Sequence, residues 1–167
     1  DIPDVSMFDG ATRQWFAGDT TAADGETLST WSGQLSETDV AAVNSPTQTT
    51  IVGEPAIEYN SADSDRHENT AGEVFDNDNE FTIAVVCYFE SNSRRQTVAT
   101  RKDGVGDFSI ANDNGTPTLF MEGISNATGS STVGTDQYVT LSATYDGSNG
   151  VIYYNGSSDG STSGSSS

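Results

Sequence analysis

VTLSATYDGSNGVIYYNG, residues 139–156, decides the fold class. Its first half alternates Val139, Leu141, Ala143 and Tyr145 with Thr140, Ser142 and Thr144, the two-residue period of a strand with one buried face. Asp146-Gly-Ser-Asn-Gly150 then supplies residues that tolerate a left-handed backbone, and Val151-Ile-Tyr-Tyr154 resumes with the β-branched and aromatic residues that strands favour. Asn155-Gly156 is a second turn signal. The stretch is a β-hairpin.

Working outward, EFTIAVVCYFE (80–90) places Phe81, Ile83, Val85, Cys87 and Phe89 on one face and Ala84, Val86 and Tyr88 on the other. Both faces are apolar, so this strand is expected to be covered on both sides at the centre of the core. Between the two lies RRQTVATRKDGVGDFSIANDNGTPTLFMEG (94–123), with strands expected near Thr97–Thr100, Asp107–Ala111 and Thr118–Glu122 and turns at Asp103-Gly104 and Asn114-Gly115. Further upstream, Pro55 demotes EPAIEY to an edge strand, and DSDRHENTAGEVFDNDNE (63–80) is a long polar loop. Short strands, turn chemistry between them and no amphipathic helical period predict an all-β antiparallel sandwich, one domain over residues 1–156. The closing SSDGSTSGSSS, 157–167, reads as a flexible Ser/Gly tail or linker.

Charge excludes whole classes of partner. There are 25 acidic residues against 6 basic ones, a net charge of -19, with Lys102 the lone lysine. Such a surface repels phosphate, so nucleic acid is not expected as a partner. Abundant short carboxylates, near-absence of lysine, and Ser and Thr in place of larger apolar residues match a protein from a high-salt environment, where a Debye length of roughly 3 Å screens carboxylate repulsion. No apolar run is long enough for a membrane helix and no basic patch would hold an anionic lipid surface. The chain starts at Asp1 without a leader-like segment, as a processed or trimmed chain would. Cys87, the single cysteine, reads as a small buried hydrophobe.

The hairpin wording resembles the ATYDG…YVNG hairpin of laminin-G-like domains, which are concanavalin-A-like jelly rolls. EFTIAVVCYFES, QTVATRKDG and DFSIANDNGTPTLFM are similar to that family's central strand, next strand and following hairpin. GDTTAADGETLSTWSGQ and IVGEPAIEYNSADSD resemble a subgroup seen in phage tail and virion-surface proteins. The resemblance implies a closing strand after the hairpin that this chain lacks. An unpaired sheet edge is expected in consequence, and with it a homo-oligomer in which a neighbouring subunit covers that edge.

Several residues carry candidate chemistry. Glycoside hydrolases of this sandwich place Glu-x-Asp-x-x-Glu on a strand, because retaining chemistry needs two carboxyls about 5 Å apart. No such spacing occurs here, so no catalytic residue is expected; His67 reads as a loop histidine. Asp76, Asp78 and Glu80 alternate in DNDNE, with Asp63 and Asp65 nearby, an oxygen cluster of the kind that ligates calcium, weighed against a solvated acidic loop. Asn114, Asn126 and Asn155 each begin a glycosylation sequon in a turn-like segment. Trp15, Trp31, Tyr88, Tyr153 and Tyr154 offer ring faces to sugars, or else pack in the core. Arg94-Arg95 is the basic pair.

These readings predict a non-enzymatic module on the surface of a halophilic virus or cell, extracellular or virion-borne. It would serve as structural decoration or host attachment through neighbouring protein subunits or a host glycan. A carbohydrate-active enzyme on the same sandwich is the alternative.

Overall fold

A computed structural model describes residues 17, 20–32, 39–60, 62–68, 80–101 and 107–164. The chain forms two compact units, residues 1–76 and 77–167.

The first unit is built from short strands. β1 (Thr30–Trp31), β2 (Val40–Val43) and β5 (Arg66–Glu68) form one antiparallel sheet in the order β1-β2-β5. β3 (Thr47–Ile51) and β4 (Glu54–Glu58) form a two-stranded hairpin. Pro55 sits on β4 opposite Thr50, in a ribbon where each strand is an edge and a missing N–H is tolerated. The hairpin turn is Val52-Gly53, both at positive φ. Leu28 and Pro46 are buried, and the Leu28 amide donates to the Pro46 carbonyl at 2.8 Å.

The second unit is the sandwich. One sheet runs β10-β9-β8-β7, from β7 (Arg95–Arg101), β8 (Phe108–Asp113), β9 (Thr116–Met121) and β10 (Ala127–Thr128). The other runs β13-β12-β11-β6, from β6 (Glu80–Tyr88), β11 (Tyr138–Asp146), β12 (Asn149–Tyr154) and β13 (Ser157–Ser163). All neighbouring pairs are antiparallel. The hairpin read from residues 139–156 is β11–β12, with Leu141 opposite Tyr154 and Tyr145 opposite Gly150. Val139, Leu141, Ala143 and Tyr145 are all buried, as their alternation requires. Ile110, Leu119 and Met121 are buried from the facing sheet, where β11 packs on β8 and β12 on β9. Gly150 permits the approach: a Cβ there would lie 3.2 Å from both Leu119 and Met121.

Two expectations are corrected. The Ser/Gly stretch from 157 is not a flexible tail along its length: Ser157–Ser163 is β13, paired with β12 from Tyr154↔Ser157 to Asn149↔Ser163. The Asn155-Gly156 turn, with φ of 48° and 79°, starts a further strand, so the edge of β12 is covered from within the chain. Small residues are tolerated because β13 comes very close to the other sheet. A Cβ on Gly160 would fall 2.2 Å from the Thr128 carbonyl oxygen. The second correction concerns β6. It is the last strand of its sheet rather than a doubly covered one, and its outer face is exposed, Val86 by 38%. The centre of the core lies instead on β8, β9, β11 and β12.

Candidate functional site

The outer face of the β6-containing sheet follows from register. Tyr88, Val86, Ala84 and Thr82 on β6 oppose Tyr138, Thr140, Ser142 and Thr144 on β11. Ser142 and Thr144 in turn oppose Tyr153 and Val151 on β12, and these oppose Ser158 and Ser161 on β13. None of these residues is charged, although the chain carries -19. Tyr88 and Tyr138 pack edge to face with ring centroids 5.6 Å apart, an arrangement favoured by the ring quadrupoles. Three part-exposed tyrosines among hydroxyls make a surface able to stack on apolar ring faces and to donate and accept hydrogen bonds.

Carboxylates bound this face at its ends: Glu90 and Asp136 lie just beyond Tyr88 and Tyr138, and Glu80 and Asp146 stand at the opposite end. Glu80 and Asp146 are register partners across β6 and β11. Asp146 is already occupied by its own turn: its Oδ1 accepts from the Ser148 amide at 2.9 Å and the Asn149 amide at 2.6 Å, and its Oδ2 from Asn149 Nδ2 at 3.1 Å. The Asn149 side chain and amide, with the Ser148 amide, hold this carboxyl below its ordinary value. That is a hairpin clamp.

On the opposite sheet Arg95 is tied to the surface in two ways. Its Nε meets Asp113 Oδ1 at 3.1 Å, and its guanidinium carbon lies 4.0 Å above the centre of the Phe120 ring. Arg94, its neighbour, is exposed. Below the same sheet end, buried Asn112 donates from Nδ2 to Asn92 Oδ1 at 2.7 Å and Gln96 Oε1 at 3.0 Å, and accepts from the Gly115 amide at 2.8 Å. Asn92 continues the network to the Val133 carbonyl at 2.7 Å. Asn112 and Asn92 each use both the oxygen and the nitrogen of the side-chain amide, as a polar network that stabilises a core requires.

In the first unit His67 stands between Trp31 and Tyr59, edge to face with each at 5.9 and 5.7 Å. Its Nε2 is 3.0 Å from the Leu28 carbonyl, which can only accept, so the proton of the neutral ring sits on Nε2 and Nδ1 accepts from the Tyr59 hydroxyl at 3.0 Å. Burial lowers the His67 pKa against the opposing pull of the Leu28 hydrogen bond, and burial pushes the Tyr59 hydroxyl well above its ordinary value. The ring therefore ties β5 to the segment before β1, a structural role for a residue that reads in the sequence as part of a loop rim. Trp31 packs beside it.

The calcium candidates divide. Asp76 and Asp78 lie outside the described residues, and Glu80 opens β6. Asp65 accepts from the Ser45 and Asn60 amides at 3.0 and 3.1 Å, and Asp63 from Asn60 Nδ2 at 2.7 Å, so both are fastened to neighbouring loops. Among the described residues no group of three or more His, Cys, Asp or Glu side chains is placed to hold a metal. Of the sequon asparagines, Asn114 and Asn155 occupy left-handed turn positions. Asn114 Nδ2 donates to Asp113 at 3.0 Å and Asn155 Oδ1 accepts from the Thr140 amide at 2.9 Å. Asn126 is exposed at the entry to β10. Trp15 lies outside the described residues, and the Tyr154 hydroxyl accepts from the Gly134 amide at 2.9 Å. Among the described residues no helix is long and apolar enough to cross a membrane.

The surface of uncharged tyrosines was hidden from sequence reasoning by its dispersal over three strands. Tyr138 in particular gives no signal until β11 is set against β6. Comparison with known proteins gives one family match: the laminin-G-type model described as the concanavalin A-like lectin/glucanases superfamily fits residues 62–167, well over half of the chain. No curated protein and no solved structure matches.

Proposed function

The chain belongs to the concanavalin A-like lectin/glucanases superfamily, and we propose that within it this protein is a non-enzymatic surface module of a virus or cell living in high salt. It works outside the cell or on a virion, as decoration or attachment domain, through contacts with neighbouring subunits or a glycan. The observation that carries this reading is the charge-free outer face of Tyr88, Tyr138 and Tyr153 on a chain of net charge -19. Desolvating charges is costly, so a surface used for contact is depleted of them.

Glycan binding in molar KCl tests it. Saccharide retention that is lost in a Tyr138→Ala, Tyr153→Ala double variant supports attachment; retention of neighbouring structural subunits by the same face supports assembly. Loss of neither activity in the variant would remove the face from the proposal. The high-salt reading has its own check, since screening of the carboxylates should raise Tm steeply with KCl. A Tm that stays flat from dilute buffer to molar salt would overturn it.

The alternative is a carbohydrate-active enzyme, a class the superfamily also contains. Glu80 and Asp146 are the facing carboxylates such a reading would use, but the Asp146 carboxylate is engaged by its turn. Release of reducing sugar from cell-surface polysaccharide, abolished by Glu80→Gln, would establish the enzyme. If a glycan is attached to the protein, Asn126 is the proposed acceptor, because it is exposed outside a tight turn, whereas Asn114 commits its side-chain nitrogen to Asp113 and Asn155 its side-chain oxygen to the Thr140 amide, both at left-handed turn positions. Mass spectrometry of tryptic peptides checks this.

A further inference from the structure

The sandwich has four terminal strands, and three of them are defended against pairing with another chain. β10 is two residues long. β7 carries Arg95 and Arg101 at its ends and a register shift between Thr97 and Ala99. β13 is interrupted by a register shift opposite Ile152/Tyr153, and its Asp159 is taken up by the loop from β10. Short length, terminal cations, bulges and covering loops are the devices by which natural sheets blunt their edges.

Among the described residues β6 has none of them. It runs nine residues in unbroken register with β11, from Glu80↔Asp146 to Tyr88↔Tyr138. Among the described residues no strand pairs with its far side. From Phe81 to Tyr88 it contains no charge, no proline and no glycine. We propose that this edge is a docking strand for a second copy of the same chain, the two β6 strands pairing antiparallel about a two-fold axis through Ala84 to make one continuous eight-stranded sheet. The proposal deepens the assembly reading above and rests on it.

Self-complementarity favours a copy as the occupant. In this register Ile83 faces Val85 of the partner subunit, inner side to inner side, and Thr82 faces Val86 of the partner subunit on the outer side. An isologous contact repeats each pairing twice. The one carboxylate of the strand, Glu80, falls at opposite ends of the two copies, the full strand length apart. From Phe81 to Cys87 no carboxylates meet, and acidic side chains approach only at the two ends, where Glu80 lies opposite Tyr88 of the partner subunit and two residues from Glu90 of the partner subunit. Association should strengthen as salt screens the remaining repulsion.

Sedimentation equilibrium in molar KCl should give about twice the 17.5 kDa chain mass, falling toward the chain mass in dilute buffer. Amide exchange should show alternate residues of 80–88 protected in proportion to protein concentration. A charge-swap pair tests the register. Thr82→Lys with Val86→Lys sets like charges opposite each other twice and should weaken the dimer about tenfold, whereas Thr82→Lys with Val86→Glu sets opposite charges together and should restore it. Equal effects of the two double variants would overturn the register. Protection of 80–88 that is independent of concentration would mean that a strand of the same chain occupies the edge, and would overturn the proposal. A monomer that still retains saccharide sinks the β6 contact alone; a monomer that retains nothing sinks the module reading as well.

Discussion

The two long sides of the sandwich close by opposite means. On the β10/β13 side the sheets are drawn together by small residues and hydrogen bonds. Gly160 lies against the Thr128 carbonyl, the Gly129 amide donates to the Pro117 carbonyl at 2.8 Å, and Asp159 accepts from the Ser131 amide and hydroxyl and from the Ser130 hydroxyl. On the β6/β7 side an aromatic stack does the work, with Phe81 and Phe108 4.1 Å apart and inclined by 22°, and Tyr145 6.0 Å from Phe81. Directional bonds and missing side chains leave no room for a further strand. Apolar stacking seals the interior while leaving the β6 backbone free among the described residues.

The largest expected effect breaks the first side. Gly160→Ala puts a methyl group into the backbone of β10, which cannot move aside as a flexible side chain would; it should cost about 3 kcal/mol in urea unfolding. Ser161→Ala, one residue along and exposed, should change little. On the second side Phe81→Ala removes half of the stack from a half-buried position and should cost about 2 kcal/mol, less than for a fully buried ring. If Gly160→Ala proved milder than Phe81→Ala, the division between the two sides would fail.

A smaller effect sharpens the comparison by pH. Burial alone would raise the Asp159 carboxyl, but hydrogen bonds from Ser131 and Ser130 together outweigh it and leave the group below its ordinary value of 3.8. A depressed folded pKa contributes stability that is complete above the unfolded value and is lost as pH falls through the folded one. Tm should therefore fall less between pH 5 and pH 2 in Asp159→Asn than in the parent chain, by a few degrees at most for so exposed a group. Indistinguishable acid profiles would show that the clasp does not depend on the charge.

The same contrast explains what could be read from sequence. The β11–β12 hairpin was legible because a one-faced strand must alternate and a tight turn must use Gly, Asn or Asp, as at Asp146-Gly147. β13 was not legible. SSDGSTS has the composition of a linker, and only the facing backbone of Thr128 shows that large side chains are excluded there. β6 misled in the other direction: two apolar faces announce double coverage, whereas one is exposed beside an uncharged β11 face. Of the candidate site, single residues such as His67 were visible, but its bonds to Leu28 and Tyr59 join positions far apart in sequence or set by strand register. The tyrosine face likewise exists only once three strands are aligned.

Cys87 has a practical use that follows from its place on β6. Burial pushes its thiol up to about 12, and Sγ lies 3.7 Å from the Val85 carbonyl. Burial thus holds the group as the unreactive thiol while the chain is folded. Unfolding restores an ordinary thiol, and the chain has no other. The rate at which a thiol reagent colours the solution is then a clock for the opening of this strand, running without any label added to the protein.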